Sequence, residues 1–481
     1  MNLRDTIETL RRHLWLELVV VGVSVVMAMA VLAVDPLFIL AALIALAGVA
    51  LVLAKPYYGV LFYLILLYVR PGDLLPALAP LRLTLLGVAL VTGAFVLQAL
   101  VYRRFKPIFT VPMAFMLLSF VAIGLSLPDS FYRTITMTRF TDIARVVFMT
   151  FLIVQLVDSA PRLRGFMTTL SLIMIGLSTA LVLRFVLMPE THLPNGGSGG
   201  IIGGFLGDGN DFALAQNVIL PWTFMLIGVT RAKWLKGLFI YGVVIGAIAV
   251  GCSFSRGGFL GLLTVFGAMY LFWMIRRRKY AIGLFIAIIA LVAATFAFLA
   301  LVPDEFLDRI SSIKDYEEDE SALGRLDAWG AGARMFADNP FVGVGAGAFA
   351  VAYGTKYKPP DAIAANWREA HSVYVQVMGE MGLVGIISFF GMVIAILLQI
   401  IRLKRTRLTR AEDDRFFHAM RGAVYGSLAT WAVSAAFLSV AYYPHVFILV
   451  MVSACMERLA RYHAVKPPTM RTTQRTGHAR T

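Results

Sequence analysis

One histidine and two arginines stand out as side chains that could carry out chemistry. His371 follows a long polar segment and directly precedes a strongly apolar one, in the stretch REAHSVYVQVMGEMG from Arg368 to Gly382. A histidine whose pKa is near neutrality can act as a general base when an acid or a carbonyl orients its ring. Arg256 and Arg325 lie on the same predicted side of the membrane as His371. Together they suit an anionic leaving group and a hydroxyl that must lose its proton, as in glycosyl transfer from a lipid diphosphate.

Other side chains could support this chemistry. Glu369 and Asp327 are the acids that could orient the ring of His371, whereas Glu380 lies nine residues further on and is expected on the opposite helix face, rotated by about 180°. An acid within an apolar segment is nevertheless costly and therefore marks a useful position. Arg184, near the predicted outer end of a span, is a candidate for a further phosphate contact.

The segment GDGNDFALAQN places several oxygen-bearing side chains, among them Asp208, Asn210 and Asp211, at the start of a predicted span. Such a group could bind a divalent cation, but it lacks the pattern of a calcium-binding loop, and asparagine and aspartate are suited to capping helices. Helix capping and hydrogen bonds to a sugar are therefore favoured over a metal site. No metal and no cofactor is predicted.

Each of these side chains also has a purely structural interpretation. A single histidine is more often a hydrogen-bonded residue between helices than a base, and an arginine at a span end can extend to the phosphates of the lipid bilayer. The arrangement of His371 with two arginines on one side is what favours a catalytic role.

The composition predicts an all-α polytopic membrane protein. Of 481 residues, 59% are hydrophobic and only 15% are charged, too few to cover the surface of a soluble protein. Runs of roughly 18 to 22 apolar residues can cross a hydrocarbon layer of about 30 Å as helices, and they lack the alternation of barrel strands. About 12 to 14 spans are predicted. They lie near 14–34, 37–54, 57–69, 84–101, 108–127, 143–157, 165–188, 211–229, 235–252, 257–275, 280–301, 383–401, 421–440 and 445–459.

The formal charge of +15 lies mostly in short segments between the spans and in the tail, which indicates topology rather than nucleic-acid binding. With these basic turns inside, both termini are predicted to be cytoplasmic. Four regions are predicted, namely N-terminal spans in 1–202, a core in 203–401, further spans in 402–460 and a disordered basic cytoplasmic tail in 461–481.

The core region contains a long polar segment, 302–370, that is predicted to face outward. It is longer than a typical connection, and its aromatic residues and glycines predict an ordered subdomain rather than a disordered insert. The glycine run GVGAGAF, 343–349, follows no predicted strand and does not indicate a dinucleotide site. It is predicted to form a tight turn through which this segment packs on the membrane helices.

These motifs resemble those of the O-antigen ligase and polymerase superfamily, which comprises membrane glycosyltransferases that use polyprenyl-diphosphate-linked glycans outside the cytoplasmic membrane. The resemblance covers roughly 203–390. Its H-x10-G pattern matches His371 to Gly382, and its R-x3-L pattern matches Arg256 to Leu260. A G-R-x3-W helix followed by NP-hydrophobic-x-G-x-G matches Gly324, Arg325, Trp329, Asn339, Pro340, Gly343 and Gly345.

The resemblance implies an inverting, metal-independent transfer at the periplasmic side of a bacterial cytoplasmic membrane. His371 would activate the acceptor hydroxyl, while Arg256 and Arg325 would bind the diphosphate. The implied partners are a polyprenyl-diphosphate-linked glycan, membrane lipids and an acceptor that is a glycan, a lipid or a protein. Ligases and polymerases share this outline, so both remain open. The segment around Asp208 is also similar to members that modify exported proteins or exopolysaccharides.

Two other classes of protein fit the composition. A transporter of polysaccharide or lipid would be expected to have paired halves, broken helices and ionisable groups near the middle of the membrane. The sequence has no evident repeat, and its polar residues gather on one side. An assembly scaffold for the cell envelope would not need a histidine and two arginines on that side.

Overall fold

The structure of this protein is a computed structural model that describes residues 36–102, 107–188, 203–276, 320–360 and 367–465, together with Ile289. The predicted spans 14–34 and 280–301 and most of the predicted tail lie outside the described residues.

The described residues form helices joined by short turns, and their only β-type pairing is one bridge between Leu408 and Ala464. The longer helices are α1 (Pro36–Ala54), α2 (Pro56–Val69), α3 (Leu83–Tyr102), α4 (Val111–Leu125), α5 (Arg133–Leu156), α6 (Ala160–Leu187), α7 (Gly209–Val229), α8 (Lys233–Cys252), α9 (Arg256–Arg276), α10 (Glu320–Asp338), α11 (Val373–Gly385), α12 (Gly391–Arg402), α13 (Ala411–Ala435) and α14 (Pro444–His463).

The all-α polytopic class is confirmed. By length and composition, five described helical stretches could cross a membrane, and three further apolar helices are shorter. Most predicted spans agree with a helix to within a few residues, as for α7 and α8. Three helices begin ten residues earlier than predicted, α5 at Arg133 rather than 143, α11 at Val373 rather than 383 and α13 at Ala411 rather than 421.

Helix α7 lies at the centre of the bundle, and 78% of its most apolar stretch is buried. Glycines of neighbouring helices allow close approach to it. A side chain at Gly258 of α9 would collide with Ala213, and one at Gly246 of α8 would collide with Gln216. The amide Nδ2 of Asn217 in α7 donates to the carbonyl of Gly258 at 2.7 Å, so α7 and α9 are also tied by a hydrogen bond.

The helices define two ends of the bundle. The basic end comprises the starts of α6 and α13 and the residues after α7, where Arg164 and Arg231 both pair with Glu412. The site end comprises the opposite ends of the same helices, together with the start of α9 and residues 436–443. Since α7 begins at the site end and finishes at the basic end, the two lie a full helix length apart.

Residues 320–360 form a small folded unit. Its helix α10 packs against α11 and the residues around 353–357, over a second core that is separate from that of the bundle. This core consists of Ala328, Ala331, Met335, Val344, Phe349, Ala352, Tyr353, Tyr357 and Ala370. The described part of the long polar segment is therefore ordered, as its composition predicts.

The small unit joins the bundle at a break in α11. Gly382 has φ +59° and ψ −153°, a conformation that interrupts the helix and that glycine adopts without steric cost. In a continuous helix, Leu383 and Val384 would donate to the carbonyls of Gly379 and Glu380.

The segment 340–345 replaces both of those bonds. Leu383 and Val384 donate instead to the carbonyls of Pro340 and Phe341, at 2.8 and 3.2 Å. The freed carbonyls of α11 accept from the amides of Val344 and Gly345 at 2.9 and 3.0 Å. The glycine run thus forms the close-packed connection that the sequence predicts, and the break explains the glycine of the H-x10-G pattern.

Candidate functional site

His371 lies at the site end, immediately before α11, and is half-buried. Its backbone has φ +47°, in the left-handed region that residues other than glycine seldom adopt. The carbonyl of Ala370 accepts a hydrogen bond from the indole Nε1 of Trp329 at 3.1 Å, and the amide of His371 donates to the Ser439 hydroxyl at 2.9 Å. The backbone at His371 is therefore held by two different elements.

The surroundings of His371 keep its ring neutral. Burial lowers the pKa of the imidazole to about 4, and the positive charges of Arg325 and Arg368 act in the same direction. The negative charge of Asp208 opposes them. At neutral pH the ring therefore carries a free nitrogen lone pair that can accept a proton.

Arg325 approaches His371 from the small folded unit, and Arg368 from the segment that directly precedes the histidine. Arg325 lies on α10, next to Gly324, and the guanidinium of Arg368 lies directly against the backbone of Gly324, where any side chain would collide with it. The glycine of the G-R-x3-W pattern therefore lets a second arginine lie beside the first. Arg368 was missed by the sequence analysis, although its position three residues before His371 is a signal that could have found it.

Arg256 is the first residue of α9 and is half-buried. The turn before it includes Phe254 with φ +52°, and the Ser255 hydroxyl accepts from the Gly258 amide at 2.9 Å, which caps the helix. Gly257 packs on Phe437 of the 436–443 turn, the same turn that contacts His371. The structure thus brings Arg256 to the site end.

Arg184 lies in the last turn of α6, also at the site end. The ring of the next residue, Phe185, lies near that of Phe254, with ring centroids 5.9 Å apart, so this turn adjoins the one that precedes Arg256. A phosphate contact by Arg184 stays a prediction.

The start of α7 is capped by its own side chains. Asp208 accepts from both the backbone amide and the side-chain Nδ2 of Asn210, each at 2.7 Å. Asp211 accepts from the Tyr443 hydroxyl at 2.8 Å. The capping prediction is confirmed, while a role of Asn210 in binding sugar stays a prediction. Within the described ranges, no three His, Cys, Asp or Glu side chains are grouped so as to hold a metal ion.

The two acids that the sequence suggests as partners for His371 act on other groups. Asp327 acts electrostatically on Tyr353, and Glu369 is solvent-exposed and within electrostatic reach of Arg139. The acid whose charge reaches His371 is Asp208. A role of Glu369 or Asp327 in orienting the ring of His371 stays a prediction.

Glu380 is fully buried in α11, and its hydrogen bonds give it a structural role. Its carboxylate accepts from the Tyr442 hydroxyl at 2.5 Å and from the Phe349 amide at 3.2 Å. The guanidinium of Arg139 lies over the Tyr442 ring, 5.8 Å from its centroid. Glu380 thus ties the bundle to the glycine-rich connection, and burial raises the pKa of Tyr442 well above its usual range.

The 436–443 turn, between α13 and α14, contacts α7, α9, α11 and the backbone of His371. In addition to the contacts of Ser439, Tyr442 and Tyr443, the Ala441 amide donates to Gln376 of α11 at 3.1 Å. The sequence analysis missed this turn, because its residues are mostly apolar and it contains no motif.

Comparison with known protein families finds a match within the second half of the chain. A family described as O-antigen ligase matches residues 241–390. The matched range contains Arg256, Arg325, Arg368 and His371, whereas Asp208 and the 436–443 turn lie outside it. No curated protein matches the chain.

Proposed function

Through residues 241–390 this chain belongs to the O-antigen ligase superfamily, and on that premise we propose that it transfers a glycan from a polyprenyl-diphosphate carrier to an acceptor hydroxyl. The family supports glycosyl transfer of the ligase or polymerase type, by a multi-pass membrane protein, from a lipid-linked glycan to an acceptor. The observation that carries the finer proposal is the cluster of Arg325 and Arg368 around a neutral His371.

In this proposal His371 is the general base. Its imidazole takes the proton of the acceptor hydroxyl as that oxygen forms a bond to the anomeric carbon of the donor glycan. The bond between this carbon and the diphosphate oxygen breaks, and the diphosphate leaves with the electron pair. Attack from the face opposite the leaving group inverts the anomeric configuration.

Arg325 and Arg368, together with Arg256, hold the diphosphate. Guanidinium groups bind phosphate oxygens in bidentate fashion and stabilise the charge that grows on the leaving group. These fixed charges take the role that a metal ion has in other glycosyltransferases, so the proposed reaction is metal-independent and uses no cofactor.

Donor binding also activates the base. In the free protein, burial and the arginine charges lower the pKa of His371 to about 4, which makes it a weak base. A bound diphosphate brings negative charges that offset those of the arginines, and this raises the pKa of the ring towards neutrality. The base is therefore strongest when the donor is in place.

The position of the site suits a lipid-linked donor. His371 lies where the small polar unit meets the apolar helix α11, so the diphosphate can lie at the water boundary with the polyprenyl chain along apolar helices. We place this end at the periplasmic face of a bacterial cytoplasmic membrane, because the opposite end carries the basic turns. The proposal also places both termini in the cytoplasm.

The proposal is tested by the glycan that remains on the polyprenyl carrier in cells that produce His371→Ala. Long chains retained on the carrier identify a ligase, and single repeat units identify a polymerase. His463→Ala, an exposed histidine at the basic end, is the matched control and should leave the carrier glycan unchanged. A carrier profile that stays normal in His371→Ala, at normal protein levels, would refute the proposed base and favour a transporter or scaffold.

A further inference from the structure

We propose that Trp329 and Ser439 are positioning residues that hold the reactive histidine by clamping the peptide group between Ala370 and His371. This inference rests on the proposed role of His371 as the base. Trp329 comes from the small folded unit and Ser439 from the 436–443 turn of the bundle, so the clamp joins the two parts of the molecule at the residue that performs the chemistry.

The clamp acts on both polar atoms of one peptide group. The Ala370 carbonyl accepts from Trp329 at 3.1 Å, and the His371 amide donates to Ser439 at 2.9 Å. A peptide group is planar and rigid, so two bonds at its opposite edges fix its orientation. Fixing this plane determines the direction in which the backbone enters His371. Because the chain after it is held by α11, which begins at Val373, φ and with it the position of the Cβ atom are then fixed.

The backbone of His371 requires such a restraint. A φ of +47° is costly for a residue with a side chain, and conformations of this kind persist only where the surroundings impose them. If either bond is lost, φ can relax to a negative value, and the imidazole moves away from its place beside Arg325 and Asp208. Two hydrogen bonds from different elements thus keep His371 in its strained backbone conformation.

Both sides of the clamp are themselves anchored. Ala370 is fully buried in the second core, against the helix that carries Trp329. On the other side, the turn that carries Ser439 is fixed by the bonds from Tyr442 to Glu380 and from Tyr443 to Asp211. A hydroxyl on a well-held turn can act as a fixed acceptor for the His371 amide.

The test compares Ser439→Ala with Ser439→Thr in the purified full-length protein, with a polyprenyl-diphosphate-linked glycan as the donor. Ser439→Ala should lower kcat by about 10- to 100-fold, because a small misplacement of a catalytic group has effects of this size, with the KM for the donor unchanged. Ser439→Thr keeps the hydroxyl and should retain a kcat close to that of the wild type.

A second variant probes the other side of the clamp. Trp329→Phe keeps an aromatic ring but removes the indole N–H, and it should lower kcat without changing the KM for the donor. Because both bonds restrain the same peptide group, the double variant should lose less activity than the product of the two single losses.

Two matched variants serve as controls. Ser427→Ala removes a serine of α13 that also bonds across helices, to the Val218 carbonyl at 2.6 Å. Trp222→Phe changes a buried tryptophan whose N–H has no acceptor among the described residues. Both should keep a wild-type kcat.

A normal kcat in Ser439→Ala, or equal losses in the alanine and threonine variants, would overturn the clamp. Multiplicative losses in the double variant would overturn it as well. If His371→Ala itself retains activity, the proposed function fails instead, so the two failures are distinguishable.

Discussion

At the basic end of the bundle one glutamate pairs with two arginines, whereas at the site end one glutamate and one aspartate of the long helices accept hydrogen bonds from tyrosines. Glu412 pairs with Arg164 and Arg231 at 2.9 and 3.0 Å. At the site end, Glu380 and Asp211 accept from Tyr442 and Tyr443. Both arrangements satisfy a carboxylate, but only the first also neutralises a guanidinium.

Arginines that hold helices together thus differ from those that we propose bind an anion. An arginine that is paired with a carboxylate contributes to holding helices together and has little remaining attraction for an anion. Where neutral tyrosines satisfy the acids, these bonds take no positive charge out of the site. The cluster of Arg325 and Arg368 around His371 fits the proposed binding of an anion. The following variants test the comparison between the two ends.

The largest effect is expected when an arginine of the site end is compared with one of the basic end. Arg325→Ala should lower kcat/KM for the lipid-linked donor by about 10²- to 10³-fold, the usual effect of losing one group that stabilises charge in the transition state. Arg231→Ala, at an ion pair whose arginine side chain is 75% exposed, should leave transfer unchanged. Steady-state kinetics of the purified proteins provide the measurement, and equal losses in both variants would contradict the comparison.

The pH dependence of transfer is the next test. The base must be neutral, and the pKa of His371 in the free protein is about 4. The value of kcat/KM should therefore be constant from neutral pH down to about 5 and should fall about tenfold per pH unit below the pKa. The fall in kcat should begin at a higher pH, because the bound diphosphate raises the pKa of the ring.

The pH profile of kcat/KM also tests whether Arg325 acts on the pKa of His371. Arg325→Ala removes a positive charge that lowers the pKa of His371, so the acidic limb of kcat/KM should move to higher pH in this variant. An acidic limb that does not move would indicate that Arg325 does not act on the base.

The smallest effect concerns stability rather than rate. Tyr442→Phe leaves the fully buried carboxylate of Glu380 without its hydroxyl donor, which should lower the free energy of unfolding by about 1–3 kcal/mol. Loss of the exposed pair in Arg231→Ala should cost about 0–1 kcal/mol. Thermal unfolding in detergent measures both, and a Tyr442→Phe midpoint equal to that of the wild type would contradict the structural role of this bond.

The helices could be predicted where apolar length alone determines them. Helix α8 runs from Lys233 to Cys252 against a predicted span of 235–252, because its neighbours in sequence are charged or polar. Helix α11 was placed ten residues too late, because Gln376 and Glu380 look like loop residues. Their partners are the Ala441 amide and the Tyr442 hydroxyl, and hydropathy contains no information about such distant contacts.

The site could be predicted only where residue type carries the signal. His371 and Arg325 stand out because a histidine and an arginine beside apolar segments are unusual. Ser439 does not stand out, since serine is common and its role depends on a contact with a residue 68 positions away. The effect of the Asp208 charge on His371 likewise depends on how the start of α7 is arranged around that residue.

The break at Gly382 has a consequence for the biosynthesis of the chain. The four backbone groups that α11 leaves open there find their partners only in residues 340–345, which leave the ribosome earlier. An open amide or carbonyl in hydrocarbon is costly, so α11 is stable in the membrane only when that hydrophilic segment already lies beside it. Residues 340–345 must therefore lie beside this helix before it is stably inserted, and the two form one step of assembly.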